Sequence, residues 1–527
     1  MSMPGHAPPV PAPPTLLEPD LLAADPAGLA DVGRLVTELT REAAGALRRR
    51  SGPLPAVTPQ ELARSVDRQL PDGPLPRTGG GRAALHALAR ACAAGTVDLA
   101  DPRAAAHLQP PSLTVAAAAD VLASVFNASV DTWDSGPYAV ELERRVIRAL
   151  AGLTGFGAGS DGVLTPGGTA SNLQALLIAR DTVLRDRRDV RGHGLTRLPV
   201  RPVVLCSELA HFSVSRACAV LGLGEHAVRP VPADSAYRMT PEALDLALRS
   251  LAADELPLAV VATAGTTDFG SVDPLPGIAA VTREHGVRLH VDAAYGGGAL
   301  FSDRMRPLLA GIEAADTVTL DLHKTAWQPA AASVLLVRDR AGLEATTGLR
   351  VAYLNPDDDG EAGYDGLLGH SLQTTRRADV LKVAATFLAL GQEGIGSMLE
   401  ACHDLARHAA TAVRSHTRLE LVTEPALTTV VFRYLPATTT DPEACDRING
   451  ALRRRLLSEG TALIGRTESG GAVRLKLTLL NPQARTTDID ELLAAVVAAG
   501  RAVESGTPQP TVPGPAEPAD RKETPHE

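Results

Sequence analysis

Aromatic side chains are scarce in this chain: seven Phe, six Tyr and two Trp among 527 residues, 3% in all. A pocket for an aromatic ligand usually recruits aromatic walls, so the scarcity weighs against such a ligand. Cysteine is scarce too. Cys92, Cys206, Cys218, Cys402 and Cys445 are scattered, odd in number and without CxxC or His-linked spacing. That excludes a disulfide framework and a thiolate metal site, and a reduced, cytoplasmic setting is expected. No Lys/Arg block occurs, and 51 basic against 61 acidic residues leave a net charge of −10. A nucleic-acid partner held through its phosphates is thereby excluded. No apolar run reaches bilayer-spanning length, and the first residues carry neither a basic start nor a compact apolar core. Membrane insertion and secretion are not expected.

What the chain does have is apolar content, 45%, spread over more residues than one core usually serves. Residues 1–26 read as a flexible Pro-rich lead. Leu29, Val32, Leu35, Val36 and Leu39 recur at helical spacing and predict an amphipathic helix that needs a partner surface; it opens a helical arm over 27–110. The Pro/Gly-rich stretch 51–80 reads as a connector, with further helices over 82–95 and 112–127. Over 111–400, the apolar runs Pro202–Cys206, Leu258–Ala264, Arg288–Val291, Thr317–Leu320 and Ala332–Val337 are separated by segments long enough for crossover helices. The reading is an α/β domain with a mainly parallel sheet. Over 401–504 the pattern changes to a small α+β domain. Val473, Leu475, Leu477 and Leu479 alternate with Arg474, Lys476 and Thr478, as in a sheet with one buried face. Ile448, Leu452 and Leu456 stripe a helix that Gly460 ends, and Thr487 with Asp490 resembles a capping box. Residues 505–527 read as a disordered tail.

Three segments carry chemistry. In the first, Pro166-Gly167-Gly168-Thr169 opens an amphipathic helix, which suits a phosphate: bare N–H groups and the positive end of the helix dipole meet the anion. Taken alone, such a motif is more often a plain turn. In the second, His290-Val291-Asp292-Ala293-Ala294-Tyr295 ends a strand on a carboxylate, where ligands of open α/β sheets collect; the bland reading is a loop cap. In the third, Asp321-Leu322-His323-Lys324 places an amine at the same sheet edge, 32 residues on. Phosphate turn, strand-end Asp and strand-end Lys, in that order, are what pyridoxal 5'-phosphate needs. Its phosphate goes on the helix start, its pyridine nitrogen is kept protonated by Asp292, and its aldehyde joins Lys324 as a Schiff base.

With these segments stand Ser129-Val130-Asp131-Thr132-Trp133-Asp134, Ala210-His211-Phe212-Ser213, Ala264-Gly265-Thr266-Thr267-Asp268-Phe269-Gly270 and Gln373-Thr374-Thr375-Arg376-Arg377. In that order the set resembles the group II pyridoxal-dependent amino-acid decarboxylases from about Leu108 to Asp490. The resemblance implies a fold type I enzyme with a mainly parallel seven-stranded sheet and a homodimer whose active sites lie at the subunit interface, embraced by the N-terminal helices. It implies that His211 stacks on the cofactor, that Tyr353 protonates the α-carbon from a mobile loop, and that Thr266, Ala294 and His323 join Gly168, Thr169, Asp292 and Lys324 in the cofactor site. No metal is implied. Arg376 and Arg377 are read as phosphate or subunit contacts, or as structural ion pairs.

Two departures matter. Asp321-Leu322 stands where many relatives have Asn-Pro, and a carboxylate beside a dianionic phosphate is repelled unless it points away or pairs with a cation; Asp321 is therefore left out of the expected site. The acid, with Gln328-Pro329, resembles the diaminobutyrate branch. Leu108-Gln109-Pro110-Pro111 replaces an aromatic clamp, which favours an aliphatic diamino acid: 2,4-diaminobutyrate, then lysine or ornithine. Asp131 and Asp134 are candidate partners for a distal ammonium, and equally loop caps. Aromatic or acidic substrates and other reactions of the cofactor, such as transamination, are the alternatives.

Overall fold

The structure is a computed structural model that describes residues 22–70, 73, 78–185, 189–196, 198–347, 354 and 356–507. Most of the lead, most of the tail and Tyr353 lie outside the described residues. The first strand, β1 (Ala104–Ala105), belongs to a smaller sheet. The seven that follow, β2 (Asp161–Thr165), β3 (Arg201–Ser207), β4 (Val228–Val231), β5 (Glu255–Thr263), β6 (Arg288–Asp292), β7 (Thr317–Asp321) and β8 (Ser333–Val337), form the large sheet in the order β2-β8-β7-β6-β5-β3-β4. The fold is α/β, fold type I. Parallel pairing runs from β7 across to β4, whereas β8 is antiparallel to both its neighbours, β2 and β7. Every residue of β7 and β8 is buried, as expected of strands covered by helices on both faces.

Two of these strands have weak sequence signals. β4 reads Val-Arg-Pro-Val, and its proline is tolerated because the strand lies at the sheet edge. β2 begins on Asp161 and Gly162 and has only three apolar-compatible positions left. Parallel crossovers and the short β2 bring strand ends and one helix start to the same rim.

The remaining strands, β9 (Leu419–Leu421), β10 (Thr429–Tyr434), β11 (Leu463–Ser469) and β12 (Ala472–Thr478), make the smaller sheet β1-β11-β12-β10-β9. Its first strand comes from the N-terminal region, some 360 residues away in sequence, a pairing that no local pattern announces. The long helix Val380–Ser415 joins the two units and breaks helical geometry at Gly391. Its apolar residues up to Cys402 pack in the large core, and those from Leu405 onward in the small one. Along β12, Val473, Leu475 and Leu477 are buried as the alternation requires, yet Lys476 and Thr478 on the other face are buried too. The expectation of one solvated face is corrected there: Lys476 Nζ reaches Asp268 Oδ1 (2.9 Å) and the Thr267 carbonyl (3.1 Å) across the junction. The last helix, Thr486–Glu504, begins earlier than the Thr487/Asp490 pattern suggests. Asp488 accepts from the Arg485 N–H at 2.8 Å, and Asp490 pairs instead with His408.

In the N-terminal region, helix Pro26–Leu47 lies along helix Gly81–Gly95. The two are joined by charge: Asp31 and Glu38 pair with Arg82, and Glu42 pairs with Arg90. The apolar stripe is left only partly covered, with Leu29 36% and Val36 38% exposed. No described helix is long and apolar enough to cross a membrane.

Candidate active site

A cleft of about 580 Å³ opens at the carboxyl ends of β5, β6 and β7, and the helix start after β2 forms its opposite wall. Gly168, Thr169, His211, Asp292, Ala294, His323 and Lys324, separated by up to 156 positions in sequence, all line it.

The helix Gly168–Leu184 has no side chain capping its first turn. A side chain at 168 would force the Asp321 carboxylate to shift, because a Cβ there would stand 2.9 and 3.0 Å from its oxygens and 3.2 Å from Ala294 Cβ. Thr165 Oγ1 and Ser171 Oγ bond at 2.7 Å across the turn, and Ser171 continues to Ser333 on β8. The turn is thus pinned to the sheet; the Ala170 and Ser171 N–H groups return to the Gly167 carbonyl, and Gly168 and Thr169, which line the cleft, offer theirs to an anion.

Asp292, at the end of β6, is held from both sides. Its Oδ1 accepts from the Ala294 N–H (3.1 Å) and its Oδ2 from Asn172 Nδ2 (2.8 Å). Asn172 Nδ2 also donates to Ser213 Oγ at 2.9 Å, and Ser213 Oγ lies 2.9 Å from His211 Nδ1. With its oxygen already accepting from Asn172, the Ser213 hydroxyl is free to donate to His211 Nδ1, which also faces the Ser213 N–H at 3.3 Å. The neutral His211 ring therefore carries its proton on Nε2. Burial holds its imidazole below the ordinary histidine value, with Asp292 pulling the other way. Behind this layer, Asn172 Oδ1 accepts from Thr319 Oγ1 (2.9 Å) and His290 Nε2 (3.0 Å). Full burial pushes His290 down to about 4, so it donates as a neutral ring.

Lys324 Nζ stands 2.9 Å from Asp321 Oδ2. The expectation that Asp321 stays out of the site is overturned: it lines the cleft, paired with the amine three residues on. The cation that permits the acid there was adjacent in sequence, at the spacing that juxtaposes side chains on a helical turn. His323 Nδ1 donates to the Ala332 carbonyl at 2.8 Å.

Other expected residues fall elsewhere. Thr266 is buried against Ser271 Oγ (2.7 Å), and Gly265 and Thr267 line the cleft in its place. Arg376 is a buried structural cation that bonds Glu143 (2.8 Å) and the Leu164 carbonyl (3.2 Å), while Arg377 pairs with Asp120 and Asp379. Neither lines the cleft. Asp131 caps its own loop, accepting from Ser129, Ser135 and the Thr132 N–H; neither it nor the exposed Asp134 is on the cleft wall. Asn172, Phe212 and Tyr295 were not anticipated there. A polar residue among Leu173, Leu176 and Leu177 is the signal that would have found Asn172. Tyr295 Oη bonds Thr428 and Thr429, each at 2.8 Å, tying the cleft wall to the small unit.

Residues 65–435 match the model of the pyridoxal-dependent decarboxylase conserved domain. The chain belongs to that family. Among relatives, the L-2,4-diaminobutyrate decarboxylase of Rhizobium meliloti (strain 1021) is 40% identical over 439 residues, 83% of this chain and 86% of that one. The cysteine sulfinic acid decarboxylase of Mus musculus is 34% identical over 400 residues, covering 73% and 79%. Among solved structures, the glutamate decarboxylase domain of diaminobutyrate-pyruvate transaminase and L-2,4-diaminobutyrate decarboxylase from Vibrio parahaemolyticus superposes with a TM-score of 0.80 at 28% identity, covering 91% of this chain and 97% of that one. This decarboxylase is a pyridoxal 5'-phosphate-dependent enzyme acting on an amino acid. Its cleft suits the cofactor: an uncapped helix start for the phosphate, an oriented carboxylate for the ring nitrogen, and an amine for the aldehyde.

Proposed function

We propose that the enzyme decarboxylates an aliphatic L-diamino acid, 2,4-diaminobutyrate first, with lysine and ornithine next. The similarity to the L-2,4-diaminobutyrate decarboxylases carries this reading. The cleft supports it, since Phe212 and Tyr295 are its only carbocyclic aromatic side chains among the described residues and Tyr295 is committed to Thr428 and Thr429. An acidic substrate is the second reading, favoured by the similarity to cysteine sulfinic acid decarboxylase.

When bound, pyridoxal phosphate supplies a cationic ring that stores the electron pair released as carbon dioxide leaves. The chain's residues do the rest. Gly168 and Thr169 present N–H groups to the phosphate. Asp292, fixed by Asn172 and Ala294, keeps the proton on the ring nitrogen. Lys324 would hold the aldehyde end of the cofactor with its amine. His211 presents its Nε2–H to the cleft as a neutral donor, which suits a departing carboxylate better than a cation that would hold it. Tyr353 returns a proton to the α-carbon. Ala294 and His323 complete the wall. Two chains form a homodimer through the N-terminal helices, in the cytoplasm, where the five free thiols stay reduced.

Purified protein incubated with diamino, acidic and aromatic amino acids should convert 2,4-diaminobutyrate to a diamine and carbon dioxide, seen by mass. A product that keeps its carboxylate would refute decarboxylation of that substrate. Preferential turnover of an acidic amino acid would replace the diamino reading.

A further inference from the structure

The helix start at Gly168 and the carboxylate of Asp321 share one end of the cleft, and their demands conflict. An uncapped first turn attracts an anion, and Asp321 is one already. Its side chain is 3% exposed, Oδ2 is paired with Lys324, and Oδ1 is buried with no hydrogen-bond partner. Both oxygens stand inside ordinary contact distance of where a Gly168 side chain would begin, at 2.9 and 3.0 Å, so an anion seated on the helix start meets the orphan oxygen. The charged groups around it are few. Its own segment contributes Lys324 and His323, the latter 3.7 Å from Oδ2; β6 contributes Asp292 and the loop after β3 contributes His211. Lys324 is the only permanent cation among these, and it is the amine that the cofactor engages. Two acids held together without a counter-ion keep a proton between them.

We propose that the cofactor's phosphate is bound together with one proton, shared between a phosphate oxygen and Asp321 Oδ1, so that this seat takes the monoanion in preference to the dianion. The inference rests on the assignment of Gly168 and Lys324 to the two ends of the cofactor seat. The proton comes from solvent with the ligand, and no other bond forms or breaks. A free phosphate monoester loses its second proton near pH ~6. Above that pH each binding event takes up a proton, and affinity falls by up to about tenfold per pH unit. Asparagine at 321 removes the requirement, because its amide N–H can donate to the dianion.

The test uses full-length protein freed of cofactor and titrated calorimetrically at about pH 8 with pyridoxamine 5'-phosphate, which has the phosphate but no aldehyde for Lys324. Buffers of different ionisation enthalpy give the protons taken up. Because Asp321 neutralises Lys324, the comparison is made in the Lys324→Ala background, where the ring nitrogen contributes alike: the protein that keeps Asp321 should take up about one proton more than Lys324→Ala/Asp321→Asn, and the double variant should bind tighter at this pH. Equal proton counts overturn the proposal and leave Asp321 as a counter-ion of Lys324. Inorganic phosphate repeats the test in Lys324→Ala alone: it should be held more tightly at about pH 6 than at about pH 8, and the reverse order overturns it. If pyridoxamine 5'-phosphate does not bind wild type at all, the cofactor-seat assignment fails as well; binding with equal counts sinks only the shared proton.

Discussion

Asn172 uses both halves of its amide inside the protein, donating to Asp292 and Ser213 and accepting from His290 and Thr319. Replacing it with leucine strands up to four buried groups, each costing ~1–3 kcal/mol. Asn172→Leu should therefore melt well below wild type and bind pyridoxal phosphate more weakly; an unchanged melting curve with unchanged affinity would remove Asn172 from the site's support. His290 makes a pH prediction. Its folded value is depressed to about 4 from about 6.5 unfolded, so the unfolded chain binds the proton first as pH falls. The stabilisation is complete above about pH 6.5 and is lost progressively toward about pH 4, by up to ~1.4 kcal/mol for each pH unit crossed. Urea titrations between about pH 7.5 and 5 should show this decline, and in His290→Gln the slope should be shallower. Lys324→Ala should abolish turnover and the visible absorption of lysine-bound cofactor; a band that survives would refute the covalent assignment.

The elements differ in how openly they announce themselves. Strands β3, β5, β6, β7 and β8 were legible as apolar runs because both faces of that sheet are buried, and the helices over 81–95 and 114–126 were legible from their punctuation. β2 and β4 were hidden by Gly162 and Pro230. β1 was hidden because two residues carry no pattern of their own and pair only with β11. On β12 the alternation correctly marked one buried face, but the burial of Lys476 depends on Asp268, a residue of another unit. The turn at Gly168 invites an element-scale test. Gly168→Val introduces atoms within 3 Å of the Asp321 carboxylate, a clash costing ~1–3 kcal/mol. Cofactor affinity should drop about tenfold or more, read from the visible band, with the far-ultraviolet circular dichroism intact. The last helix gives a stability counterpart: a Cβ on Gly500 would fall 2.5–2.7 Å from ring atoms of the buried Tyr434. Gly500→Ala should lower the melting temperature by several degrees; no shift would mean that the helix can slide off the ring.

At the scale of the molecule, the helix Pro26–Leu47 leaves Leu29 and Val36 exposed after its charged edge has paired with the helix Gly81–Gly95. The proposed homodimer covers that face. Sedimentation should give twice the monomer mass, and Val36→Asp should shift the balance toward monomer if the stripe is the contact; a dimer of undiminished strength would move the interface elsewhere. The linear order of glycine turn, Asp292 and Lys324 by itself pointed to the cofactor, because each residue type is dictated by the ligand atom it serves; the short apolar runs pointed to an α/β sheet, and fold type I followed from the family resemblance of the ordered motifs. The charge state at that site was decided by folding. Asp321 entered the cleft because Lys324 neutralises it at 2.9 Å, and the proton on His211 is placed by Ser213 and Asn172 acting from separate helices. The link from Asn172 to Ser213 spans 41 residues and depends on three-dimensional distance, which hydropathy and spacing along a chain do not encode, whereas the i,i+3 pair of Asp321 and Lys324 was within reach of spacing.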